Sequence, residues 1–176
     1  VHRDVSPQNM LISYEGEVKI ADFGIAKAAG ASRLTLAGTL KGKIAYMSPE
    51  QAWGRPVDRR SDVFSIGIVF WEILTNTRLF FGNSDFDTLE KVRNCDIPDI
   101  LQIVPSLSKE VDRILRKSLS KEAENRYQSA AEMHHDLEVF SAAHGFYNQS
   151  PELANFLQQH FLQEARRRIV AVDAVH

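Results

Sequence analysis

A mainly helical fold with one small β-hairpin at its amino end is the class this sequence predicts, and three observations lead to it. Residues 10–13 and 18–21 are short apolar runs joined by "YEGE", a turn sequence built around Gly16. From Pro49 onward, helix starts, apolar positions at helical spacing and helix stops follow one another. The length, 176 residues, suffices for one domain with a sizeable core and is short for two.

In chain order, the hairpin comes first. Residues 22–43 then show little periodicity and much Gly, Ala, Ser and Thr, which predicts a long loop. Pro49 in a first helical turn, followed by "EQAW", predicts a short helix ending near Gly54. Residues 61–76 are apolar on nearly every face, the mark of a helix in the middle of a core. A helix over 85–94 carries an apolar stripe through Phe86, Leu89 and Val92. Ser108 is placed to cap a helix that buries Val111, Ile114, Leu115 and Leu119. Ser129 and Glu132 have capping-box spacing, opening a helix that runs to Gly145. Ser150 and Pro151 begin a last amphipathic helix with Leu153, Phe156, Leu157 and Phe161.

Composition excludes several functions. The net charge of −2 gives no basic field for nucleic acid or an anionic membrane. The basic run at 166–168 falls late in a helical pattern, where cations suit the helix dipole. A single cysteine, Cys95, cannot staple the fold and points to a reducing, cytoplasmic setting. His134 and His135 have no partners at zinc-ligand spacing. The most apolar stretch, 63–74, is short and contains Glu72, so it reads as a buried helix and not a membrane span.

The chemistry-bearing residues crowd into the first fifty positions. Phosphoryl transfer needs a carboxylate to take a hydroxyl proton and oxygen ligands to hold Mg²⁺ against phosphates. Asp4 and Asn9 supply a base and one ligand from a single loop. Asp22 follows the second strand of the hairpin, which returns it toward Asn9. Phe23 then offers an apolar anchor and Gly24 the backbone freedom to turn.

"HRDVSPQN", "DFG" and "SPE" at 48–50, in this order, resemble the catalytic loop, metal-binding motif and activation-segment end of protein kinases. "SDVFSIGIVFWEIL" and "NRYQSAAEM" are similar to the central and closing helices of the larger kinase lobe. The wording is closest to bacterial serine/threonine kinases of myxobacterial type. The resemblance implies that Asp4 orients or deprotonates the substrate hydroxyl, and that Asn9 and Asp22 hold Mg²⁺ beside ATP. It implies that Leu11 floors the adenine pocket, Ala21 lines it, and His2 and Phe23 join the hydrophobic column between lobes. It also implies a Glu50–Arg126 ion pair tying the activation segment to the closing helices, and an Asp62 that holds the catalytic-loop backbone.

Two positions depart from that pattern. Relatives of the serine/threonine class usually carry lysine at the position of Ser6 and threonine at that of Lys43. The expectation here is an exchange, in which Lys43 reaches back to set its ammonium near Asp4. The alternative is a solvated Lys43 and a crippled site. Arg3, before the catalytic aspartate, goes with control by activation-loop phosphorylation, for which Thr39 and Thr35 are the first candidates and Ser32 a weaker one.

The segment from 22 to 50 resembles a platform for an extended peptide, which favours protein substrates. The expected organisation is a kinase C-lobe over 1–145 and a helical extension or linker over 146–176. The smaller lobe, with its glycine-rich loop and strand lysine, is expected to lie outside the chain. The chain alone should then be inactive and prone to associate. A pseudokinase or scaffold lobe that only binds partners is the competing reading.

Overall fold

The computed structural model describes residues 1–22, 41–146 and 150–173. Strands β1 (Met10–Ile12) and β2 (Val18–Ile20) pair antiparallel, with Met10 opposite Ile20 and Ile12 opposite Val18. Gly16 takes φ 81° in the turn, which favours glycine. The expected loop over 22–43 ends in a helical turn, α1 (Lys41–Ile44), so Lys43 sits on a helix. Phe23, Gly24, Ser32, Thr35 and Thr39 lie outside the described residues.

Helix α2 (Pro49–Ala52) begins with a complete capping box. Ser48 Oγ accepts from the Gln51 amide, and Gln51 Oε1 accepts from the Ser48 amide. Helix α3 (Arg59–Thr75) starts two residues earlier than its apolar run, because Asp58 caps it by accepting from the Arg60 amide at 2.8 Å. Asn76 closes it in the left-handed conformation. Val63, Phe64, Ile68 and Trp71 of α3 are fully buried, as the apolar pattern on all faces requires. Around α3 pack α4 (Asp85–Asn94), α6 (Lys109–Ser118) and α7 (Ala130–Ala143). A Cβ on Gly67 would stand 2.6 Å from Ser118 Oγ and 3.0 Å from Leu119, so α3 and α6 meet backbone-close there.

Three helix expectations need correction. On α4, Phe86 is 71% exposed, and the buried positions are Thr88 and Val92. Phe86 lies about 200° round the helix from Thr88, and the buried Thr88 is satisfied by donating to the Ser84 carbonyl and accepting from the Gly82 amide. At the start of α7, Ser129 accepts from the Glu132 amide, but the Glu132 carboxylate accepts from Gln128 N and so closes a wider loop than the expected box. A short helix, α5 (Ile100–Ile103), was not expected, and Asp99 caps it.

The last helix, α8 (Ser150–Asp173), was expected to be amphipathic through Leu153, Phe156, Leu157 and Phe161; Leu153 and Leu157 are partly buried, whereas Phe156 and Phe161 are exposed. It instead meets the hairpin turn through polar contacts. Gln158 Nε2 donates to the Tyr14 carbonyl at 3.2 Å, and a Cβ on Gly16 would run into the Ser150 carbonyl. Among the described residues, no helix is long and apolar enough to cross a membrane.

Candidate active site

Asp62, near the start of α3, builds the site from below. Its carboxylate accepts from the backbone amides of His2 (2.7 Å) and Arg3 (2.8 Å). Arg3 has φ 67°, a left-handed conformation unfavourable for a side-chain-bearing residue, and this pair of bonds holds it there. Gln51 Nε2 adds a bond to the Arg3 carbonyl at 3.1 Å. His2 is buried, with Nε2 3.1 Å from the Ala21 carbonyl and Nδ1 accepting from the Asp4 amide at 3.3 Å. The loop 2–4 is thus clamped to α3, to α2 and to the end of β2.

Asp4 presents its carboxylate from this clamped loop, with a side chain only 11% exposed. Lys43 Nζ donates to Asp4 Oδ2 at 2.7 Å. Ser6 Oγ is buried and, among the described residues, has no hydrogen-bond partner, Lys43 included. Asn9 is buried, and its Nδ2 donates to the Asp4 carbonyl at 2.7 Å, which orients the carboxamide. The Asn9 carbonyl accepts from the Ala21 amide at 2.8 Å, so the residue just before Asp22 is bonded to Asn9. Asp22 is exposed, with φ 56°. Leu11 stands exposed on β1 and Ala21 is half-buried at the end of β2.

The donor chemistry fits a hard divalent cation, since Asn9 brings a carboxamide oxygen and Asp22 a carboxylate. Among the described residues, no group of three or more His, Cys, Asp or Glu side chains gathers. Mg²⁺ commonly takes only one or two protein ligands and fills the rest of its shell with water and phosphate oxygens, and Asn9 and Asp22 are the candidates for those two.

Glu50 and Arg126 form a bidentate pair at 2.8 and 2.9 Å. Burial disfavours the Glu50 charge, but hydrogen bonds from Arg126 and Ser61 outweigh it and hold the carboxyl down at about 2. Two connections were missed in the sequence. Gln51 had a signal, the Ser-x-x-Gln spacing of a capping box. The cluster in which Tyr46 donates to Glu72 Oε2 at 2.6 Å and Arg78 donates to the Tyr46 hydroxyl had none, because its members come from distant segments.

A helical lobe with one hairpin and this loop arrangement has the layout of the larger lobe of a protein kinase. A family model for the protein kinase domain matches residues 1–176, and the chain belongs to that family. It is 39% identical over 164 residues to the tyrosine-protein kinase MasK of Myxococcus xanthus, covering 93% of this chain and 25% of that protein. It is 45% identical over 139 residues to the serine/threonine-protein kinase PknB of Mycobacterium leprae, covering 78% of this chain and 22% of that protein. Among solved structures, the twitchin kinase region from C. elegans superposes with a TM-score of 0.60 at 28% identity, over 78% of this chain and 24% of that one. The chain thus spans about a quarter of the length of these relatives.

Proposed function

We propose that this chain is the phosphate-transferring lobe of a protein kinase that moves the γ-phosphate of ATP to serine or threonine hydroxyls of proteins. The observation that carries the reading is the Asp4 carboxylate, clamped through its loop to Asp62 and Asn9 and paired with Lys43. The Asp4 carboxylate orients the acceptor hydroxyl and takes its proton as the new O–P bond forms and the bond to the leaving ADP breaks. Asn9 and Asp22 would hold Mg²⁺, whose charge offsets that of the phosphates. Leu11 and Ala21 form the surface on which the adenine rests. A segment or chain other than these residues is proposed to cover the nucleotide. Thr39 and Thr35 are the proposed switch phosphorylation sites in the activation segment.

Serine or threonine is the favoured acceptor because Ser6 and Gln8 stand where tyrosine kinases usually carry alanine and arginine. The name of the Myxococcus relative points the other way, and phosphoamino-acid analysis of the labelled product separates the two. The test takes this chain together with its nucleotide-covering lobe and a protein substrate. Asp4→Asn and Asp22→Asn should each abolish phosphate transfer while the proteins stay folded. Undiminished labelling in either variant, or none in the parent, sinks the proposal and leaves the scaffold reading.

A further inference from the structure

Resting on the kinase reading above, the geometry points to Lys43 as the cation of the transfer site, delivered by the helical turn Lys41–Ile44 only when that turn is seated on the catalytic loop. Four observations converge. Lys43 Nζ is 2.7 Å from Asp4 Oδ2, so its charge lies beside the carboxylate that would meet the acceptor hydroxyl. The catalytic loop brings no cation of its own beside Asp4 at Ser6, whose short side chain is buried and whose hydroxyl meets no partner among the described residues. The segment approaches that loop closely, because a Cβ on Gly42 would lie 3.6 Å from Gln8 Nε2. Finally, α1 runs on into a turn in which Tyr46 N donates to the Lys43 carbonyl and Met47 N to the Ile44 carbonyl, and Ser65 Oγ of α3 anchors that turn by donating to the Tyr46 carbonyl at 2.8 Å.

The consequence is a difference in control. A lysine on the catalytic loop is present whatever the activation segment does. A lysine on Lys41–Ile44 leaves the site when that turn lifts away. Charge aimed at a developing transition state is worth about 10²–10³ in rate, so unseating this one turn would act as an off-switch. Ser6 and Lys43 do not reproduce a lysine–hydroxyl bond in reverse. What is exchanged is the charge, while the Ser6 hydroxyl has no partner among the described residues.

The experiment uses the chain with its nucleotide-covering lobe. Lys43→Met should lower kcat by about 10²–10³ and shift the KM for ATP by less than about threefold. Lys43→Arg should keep about a tenth of the activity, and Ser6→Lys added to Lys43→Thr should recover about tenfold or more over Lys43→Thr alone. Independently of activity, Asp4→Asn and Lys43→Met should each speed amide hydrogen exchange across Lys41–Ile44 while leaving α3 unchanged. Lys43→Met activity within about threefold of the parent overturns the proposal, as does unchanged exchange at Lys41–Ile44 in both variants. If Asp22→Asn is inactive and Lys43→Met is not, the delivery idea fails and the kinase reading stands.

Discussion

Arg126 spends all five of its N–H groups inside the fold. Two go to Glu50, and the others reach the carbonyls of Ser120, Lys121 and Arg60. Its guanidinium also stacks over Phe64, 4.7 Å from the ring centroid. A group this buried and this fully satisfied stabilises only as a set. Arg126→Met leaves the Glu50 carboxylate in place without its partner, and the expected cost is about 3–5 kcal/mol in a urea titration. Acid should act on the same pair. The Glu50 carboxyl is lowered from 4.5 to about 2 in the fold, so between those values the unfolded chain binds the extra proton. Stability from this residue is complete above pH 4.5 and is lost as pH falls toward 2. Glu50→Gln should be less stable at neutral pH and should flatten that acid limb. A limb of unchanged slope in the variant would assign the acid sensitivity elsewhere.

Gly67 shows what a single helix contact demands. With Ser118 Oγ at 2.6 Å from where its Cβ would be, Gly67→Ala must push α6 away from α3 or twist Ser118 off its bond to the Leu115 carbonyl. The expected loss is about 1–3 kcal/mol, against the gain that alanine normally brings inside a helix. A midpoint equal to or above the parent's would show that α6 gives way freely. Nothing in the sequence marked Gly67 as a contact, because close approach depends on which turn of α6 faces it. The helices themselves were legible wherever a cap preceded a long apolar period, as at Ser108 and along α3. Phe86 was misread because three apolar residues at spacing three looked like a stripe, whereas Thr88 and Val92 make the real one. The same holds at the site. Asp4, Asn9 and Asp22 could be read from motif order, and the Lys43–Asp4 contact was expected. That Lys43 stands on a helical turn was not, since Gly42 and the aperiodic stretch before it predict a loop.

At the scale of the molecule, one side is under-covered. The hairpin exposes Leu11, Ile12 and Val18, and α3 leaves Ile73 72% exposed at its carboxyl end. Between them runs a groove of about 460 Å³ lined by Pro7, Met10, Ile12, Val69 and Ile73 and by polar groups that include Glu72 and Arg78. Apolar surface of this kind drives association, and among the described residues the contacts from α8 fall on the hairpin turn, at Tyr14 and Gly16. The 176-residue chain prepared alone should therefore self-associate at concentrations of about 10 μM and above, in a manner that weakens on cooling, as apolar burial does. Ile12→Lys with Ile73→Glu should shift it toward monomer in sedimentation velocity, at a stability cost of less than about 1 kcal/mol because both side chains are already in water. A parent chain that sediments as a monomer throughout, or a double variant that associates just as strongly, would mean that the groove is not what holds copies together. The same surface bears on the site, since β1 starts immediately after Asn9 and β2 leads through Ala21 to Asp22. Whatever covers the hairpin therefore steadies the strands that carry both proposed ligands, and the monomeric double variant lets that effect be measured apart from association.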